Sequence, residues 1–180
     1  VILMPMVAAE YSISMGPKLT AGMFIAAAAS ISTLGGGVGK VINGFVCQRI
    51  GGRQSASLYL LGMGVFSLLL SVNTSAACVG WILAGLEFCA SMQWTAHSIL
   101  LLNHYEHRPI RFAAGMTTLS MASTFGIIIA KVGGPALLHV IPSWRALCRM
   151  GAGVAVVGGL LAQSLITEWP EEPNRQSNIN

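Results

Sequence analysis

The chain has 180 residues, of which 54% are hydrophobic and only 9% are charged, and its formal net charge is +4. Soluble domains contain roughly 25% charged residues, so this composition excludes an ordinary soluble protein. The basic residues are scattered at the ends of apolar segments, which argues against nucleic-acid binding. The four cysteines form no C-x-x-C pair and are expected to be small buried residues, with no metal and no cofactor.

Apolar segments long enough to cross a membrane follow one another along the chain. A transmembrane helix needs about 20 mostly apolar residues to cross a hydrocarbon core of ~30 Å. No charged residue lies between Lys18 and Lys40, or between Arg53 and Glu87. The sequence therefore predicts an all-α integral membrane protein, a bundle of six transmembrane helices over residues 1–167 with the first helix truncated. The expected spans are residues 1–9 (partial), 21–46, 55–71, 77–102, 112–138 and 144–166, and residues 168–180 form a polar cytoplasmic linker.

The second expected span is rich in small residues. Gly35 and Gly39 are four positions apart and therefore lie on one helical face. Small residues at this spacing let membrane helices approach closely, so the pair predicts a helix–helix contact.

The Lys and Arg residues of the loops predict the orientation of the chain. Basic loops stay on the cytoplasmic side, and the segments 47–54 and 103–111 carry two Arg each. Because two spans separate them, both loops are expected to be cytoplasmic. Arg145 and Arg149 do not fit this orientation, because the alternation of spans puts them at the outer end of the sixth span. There they would reach an outer headgroup or a neighbouring helix.

Residues 43–54 read NGFVCQRIGGRQ and form a short basic segment between two apolar ones. Glycines in it allow helices to end and turn tightly. The order G-x-x-x-x-R-x-G-x-R resembles the loop between the second and third helices of major facilitator superfamily transporters, and the matching residues are Gly44, Arg49, Gly51 and Arg53. That family usually has an Asp where this chain has Gln48, so the carboxylate charge is missing there.

Two further observations extend the resemblance. The step Ser143-Trp144-Arg145 at the start of the sixth span is similar to a frequent Trp-Arg step of the family, and six spans before a polar tail match half of a twelve-helix transporter. The resemblance implies secondary transport of a small-molecule solute by alternating access, with this bundle rocking against a missing C-terminal bundle. It also implies the lipid bilayer as the surroundings and a cytoplasmic gate formed by the segment 44–53.

Glu87 is the strongest single candidate for a functional side chain. It lies about ten residues into the fourth span, roughly 15 Å deep at ~1.5 Å per residue. A carboxylate at the bilayer midplane is a functional-site hypothesis by default. Ser91 and Trp94 follow on the same helical face. The alternatives are a structural ion pair for Glu87 and packing against a neighbouring helix for Trp94.

Two basic side chains complete the candidate set for substrate binding or coupling. His97 could relay protons, or it could simply hydrogen-bond between helices. Lys40 on the second span could bind an anionic solute, such as an organic phosphate or carboxylate, or its ammonium group could snorkel to the headgroups.

Two other classes of protein are alternatives to a transporter. A small polytopic membrane protein that scaffolds or regulates a partner would need no transport cycle, and this alternative stays open. A membrane enzyme would need clustered catalytic residues at one membrane face, where the chain offers only His104, Glu106 and His107. These residues fit a solvated loop better, and they provide too few ligands for a metal site.

Overall fold

The structure is a computed structural model that describes residues 7, 8, 10, 11, 21–105, 108–141 and 143–165. These residues include five long α-helices: α1 (Ala21–Ile50), α2 (Gly52–Val72), α3 (Ala76–Tyr105), α4 (Pro109–Val140) and α5 (Trp144–Leu165). All five are long and apolar enough to cross a membrane. They correspond to the second to sixth expected spans, so the all-α class is confirmed. Most of the first expected span and the whole 168–180 tail lie outside the described residues, and the six-helix count stays a prediction.

The helices extend further into the connecting segments than expected. The expected loop 47–54 is reduced to Gly51, because α1 runs to Ile50 and α2 begins at Gly52. Gly51 has a φ of 80°, which glycine adopts without the strain that a Cβ atom would cause, so one residue suffices for the break. The expected loop 103–111 is shortened at both ends in the same way, since it loses residues to α3 and α4.

The two ends of the bundle have separate cores. The Gly51 end contains the α1–α2 turn, and Gly52 there lies against Leu100 of α3. Its core residues are Cys47, Ala56, Tyr59, Met92 and Ala96. The Asn73 end contains the α2–α3 turn and the beginning of α5. Its core joins residues of four helices to residues that precede α1: Val7, Ala8, Tyr11, Phe24, Leu70, Val79, Trp144 and Cys148.

The helix α1 packs along α3 through its small residues. A methyl group at Gly39 would lie 2.8 Å from the carbonyl oxygen of Phe88, and one at Gly35 would overlap the carbonyl group of Ala84. The two backbones therefore approach each other more closely than a larger residue at either position allows. The contact predicted from this glycine pair is confirmed.

The helix α2 lies between α3 and α5, whereas α4 lies at the edge of the bundle. The buried hydroxyl of Ser57 in α2 donates a hydrogen bond of 2.8 Å to the carbonyl oxygen of Gly159 in α5. The main neighbour of α4 is α3. None of the described residues in the most apolar stretch of α4 is buried, so this helix presents most of its surface outward.

Candidate functional site

The candidate residues on α3 meet α1 near the middle of the membrane span. Gly36 of α1 is buried. A methyl group at Gly36 would lie 3.1 Å from the hydroxyl oxygen of Ser91 and 3.8 Å from the Cβ atom of Glu87. Glu87 lies roughly 16 Å along α3 at ~1.5 Å per residue. The glycine thus leaves room for the side chains of Glu87 and Ser91 where the two helices meet.

Lys40 lies on α1 close in sequence to Gly36, and its relation to this place follows from helical spacing. It follows Gly36 by four residues and therefore lies one turn further along the same face of α1. Lys40 and Glu87 are both exposed. We call the place formed by Gly36, Lys40, Glu87 and Ser91 the α1–α3 seam. An acid and a base at this depth can compensate each other or bind opposite charges of a solute.

Trp94 extends the Glu87 face of α3 toward the Gly51 end, and its side chain is 40% exposed. The hydroxyl groups around it are satisfied within α3. Ser98 donates to the carbonyl oxygen of Trp94 at 3.1 Å, and Thr95 donates to that of Ser91 at 3.2 Å. The indole ring of Trp94 therefore offers an apolar surface next to the seam.

His97 is placed apart from the seam. Its Nε2 atom lies 2.9 Å from the side-chain nitrogen of Gln93, one turn earlier in the same helix. The ring of His97 also lines a groove between α3 and α4. The hydrogen bond that the structure shows for His97 is thus within α3, and the ring faces the α4 side of this helix.

The residues of the expected gate surround the α1–α2 turn. Gln48 and Arg49 are exposed in the last turn of α1, and Arg53 is half-buried in the first turns of α2. The positive charge of Arg49 suits the C-terminal end of α1, where the helix dipole is negative. Gly51 makes the turn. A methyl group at Gly44 would meet nothing within 4 Å, so close packing does not explain a glycine there.

Asn43 is a buried polar residue that the sequence interpretation missed. Its side-chain nitrogen donates to the carbonyl oxygen of Met92 at 3.2 Å, and its side-chain oxygen accepts a hydrogen bond of 3.0 Å from the Cys47 thiol. Polar side chains hold membrane helices together through such bonds. The signal that could have revealed it is an amide side chain inside an otherwise apolar segment.

A cluster of polar side chains joins neighbouring elements at the Asn73 end of the bundle, and we call it the polar clamp. It consists of Glu10, Tyr11, Asn73, Trp144 and Arg145. The guanidinium group of Arg145 lies 2.6 Å from the Glu10 carboxylate, and the Trp144 indole donates to the same carboxylate at 2.7 Å. Arg145 also donates to two carbonyl oxygens at the end of α2, at 2.9 Å and 2.8 Å. The hydroxyl of Tyr11 donates to the carbonyl oxygen of Asn73 at 2.7 Å.

The polar clamp accounts for the position of Arg145, which disagreed with the orientation predicted from the other loops. Arg145 binds groups of its own bundle: the Glu10 carboxylate and carbonyl oxygens at the C-terminal end of α2. A positive charge is favourable at this end, because the helix dipole is negative there. Its hydrogen bond to Glu10 holds the pKa of that carboxyl below its ordinary value. A basic residue engaged in this way carries less weight as a topology signal.

Comparison with known families decides the class of the protein. The sequence model of the Major Facilitator Superfamily matches residues 1–180. The chain belongs to this superfamily. Comparisons with curated proteins and with solved structures each return no match. The family resemblance read from the sequence is thereby confirmed.

Membership of the Major Facilitator Superfamily makes the chain a multi-pass membrane protein of a transporter family, whose members are not enzymes. In the part of the chain that the structure describes, no group of three or more His, Cys, Asp or Glu side chains could hold a metal ion. The superfamily match does not assign individual residues. The roles of the seam residues and the cytoplasmic placement of the loops 47–54 and 103–111 stay predictions.

Proposed function

We propose that this chain is the N-terminal half of a secondary active transporter that moves a small solute by alternating access. Membership of a transporter superfamily supports the class. The observation that carries the proposal is the α1–α3 seam, where Glu87 lies in mid-span opposite Gly36. An ionisable side chain is costly inside a membrane, so its position where two helices meet favours binding or coupling over a merely structural role.

Glu87 is the coupling residue in this proposal. When the seam is open to water, the carboxylate is hydrated and ionised. When the seam is closed, a proton or the positive charge of Lys40 has to compensate the carboxylate, because an isolated charge is costly in the bilayer core. The ionised form of Glu87 is thus favoured in the open seam and disfavoured in the closed seam. Proton uptake by Glu87 is therefore linked to closure of the seam.

The solute class that the seam favours is an organic anion, such as a carboxylate or a phosphate ester. The ammonium group of Lys40 would replace the water around the anionic group by a charge-assisted hydrogen bond. The hydroxyl of Ser91 adds a neutral hydrogen-bonding group, and the exposed ring of Trp94 adds an apolar surface for the rest of the solute.

The α1–α2 turn is the proposed gate. A connection of one residue, Gly51, leaves α1 and α2 little freedom to separate, so both helices would move together when the bundle rocks. Arg49 and Arg53 flank the turn and would contact a second six-helix bundle, which alternating access requires on the other side of the solute.

Proton entry into liposomes tests the proposal. The complete native polypeptide is reconstituted with a pH-sensitive dye trapped inside, and small organic carboxylates, organic phosphates and neutral sugars are added outside in turn. We expect at least one anionic solute to cause proton entry. The variant Glu87→Gln keeps the shape of the side chain but cannot release a proton, so we expect it to reduce the entry rate at least tenfold.

The matched control is Glu168→Gln, which makes the same chemical change in the polar sequence that follows α5. It should leave the entry rate unchanged. Solute-driven proton entry that persists at full rate in Glu87→Gln would exclude Glu87 as the coupling residue. A reconstituted native protein that moves none of the three solute classes would favour the alternative of a membrane scaffold.

A further inference from the structure

A groove of about 780 Å³ runs between α3 and α4 at the Gly51 end of the bundle. Its α4 wall is one helical face, because the lining positions between Arg111 and Ala122 recur every three or four residues. Its α3 wall begins at His97 and ends at Tyr105. The two helices run in opposite directions here, since α4 begins at Pro109, soon after α3 ends at Tyr105, and Gly115 lies back against Leu101.

The groove is polar and basic at its mouth and mostly apolar further in. Arg111 and His104 lie near the helix ends that flank the α3–α4 connection, whereas Leu119 and Ala122 line the wall toward the bilayer centre. The sequence from His104 to Arg111 contains two Arg and one Glu, so its formal charge is +1 with His neutral. A fixed guanidinium group at the end of an apolar groove suits a ligand with an anionic head and an apolar tail.

The length of the groove fits one leaflet of a bilayer. Arg111 and Ala122 are eleven positions apart, which corresponds to roughly 17 Å of helix at ~1.5 Å per residue. Half of a hydrocarbon core of ~30 Å is about 15 Å. A ligand held by its head at Arg111 would therefore extend its apolar tail to about the middle of the membrane.

The groove is also open to the surroundings of the bundle. Four of its residues on α4, namely Arg111, Ala114, Thr118 and Ala122, are exposed. On the side of a membrane-spanning bundle that faces the bilayer, lipid chains reach such an apolar groove. Lipid can therefore enter it sideways from the bilayer, without passing through the α1–α3 seam.

We infer that this groove binds an anionic phospholipid of the surrounding bilayer. The phosphate group lies beside the Arg111 guanidinium and the His104 ring, and one acyl chain lies along the groove toward Ala122. Basic pockets between transmembrane helices at the membrane surface recognise anionic headgroups in this way. This site is separate from the seam and does not depend on the transport function proposed above.

Lipid binding to the purified full chain in detergent tests the inference. Native mass spectrometry counts bound dioleoyl phosphatidylglycerol, which is anionic, and dioleoyl phosphatidylcholine, which has the same chains and no net charge. We expect the protein to prefer phosphatidylglycerol. Because a basic residue at the membrane surface contributes about a fivefold factor in binding, Arg111→Gln should weaken phosphatidylglycerol binding about fivefold and leave phosphatidylcholine binding unchanged.

Two further variants complete the design. Arg149→Gln removes the same charge from an exposed position on α5 outside the groove, where no groove residue holds an acyl chain, and should weaken phosphatidylglycerol binding less than Arg111→Gln does. Ala122→Trp fills the inner part of the groove from an exposed position, so it should weaken the binding of both lipids while the helical content stays constant. This variant tests the site even if Arg111→Gln does not fold.

Three results would overturn the inference. The first is equal binding of the two lipids by the unchanged protein, and the second is an equal loss of phosphatidylglycerol in Arg111→Gln and Arg149→Gln. The third is competition by soluble glycerol 3-phosphate at the same concentration as the lipid. That result would show a site for a free phosphate compound, with no contribution from the acyl chain.

Discussion

The close approach of α1 to α3 at Gly39 predicts a difference in stability between two similar glycine substitutions. In Gly39→Ala the new methyl group would lie 2.8 Å from the carbonyl oxygen of Phe88 and 3.3 Å from its Cα atom. Backbone atoms cannot move aside as a flexible side chain can, so the helices must separate. Overpacking of this kind costs about 1–3 kcal/mol, while the gain in helix propensity from Gly to Ala is about 0.5–1 kcal/mol. The net effect is a loss of stability of up to about 2.5 kcal/mol.

The matched control is Gly37→Ala, two residues earlier in α1. A methyl group at Gly37 meets nothing within 4 Å, so only the propensity gain applies and the variant should be slightly more stable. Reversible unfolding in mixed micelles with increasing dodecyl sulfate, followed by circular dichroism, measures both variants against the unchanged chain. Equal stability of Gly39→Ala and Gly37→Ala would refute the close contact between α1 and α3.

Two more predictions concern the polar contacts. Because the folded state lowers the pKa of Glu10, the ion pair with Arg145 stabilises the protein at neutral pH and is lost as the pH falls through that lowered value. Both groups are partly exposed, so Glu10→Gln should cost at most about 1 kcal/mol at pH 7. The cost should shrink as the pH falls below the ordinary range of a Glu carboxyl, as melting temperatures of both proteins over a series of acidic pH values would show. Ser57→Ala removes the hydrogen bond to Gly159 and should cost about 0.6 kcal/mol in the same dodecyl sulfate unfolding. The control Ser164→Ala, whose hydroxyl bonds within its own helix, should change nothing, and an equal loss in both variants would contradict the assigned role of Ser57.

The sequence predicted those features that depend on the length of one segment or on the size and position of one residue within a helix. The length of the apolar segments defines the spans because the thickness of the bilayer is fixed. The glycines at 35 and 39 predicted the contact between α1 and α3, since only a small residue permits it. The depth of Glu87 also follows from counting along one helix, and the structure places this residue opposite Gly36.

Features that depend on the arrangement of different helices could not be predicted. The sequence alone presents Arg145 as a topology signal, because its partner Glu10 is remote in sequence and no local pattern joins the two. The sequence places Glu87 and His97 on one helix, and only the structure shows that His97 lines a groove beside α4. The break between α1 and α2 was expected to take eight residues. It takes only Gly51, because one positive φ angle is enough to end one helix and begin the next.

The polar clamp has a consequence for the order in which the protein assembles. Glu10 and Arg145 are separated by 135 positions, and synthesis adds about 5–20 residues per second. Roughly 7 to 27 s therefore pass between the addition of Glu10 and that of its partner. The contact of α1 with α3 needs the chain only as far as Tyr105 and can form earlier. The contacts of Glu10 with Trp144 and Arg145 therefore form after the hydrogen bond of its neighbour Tyr11 to Asn73, because α5 is synthesised later than α2.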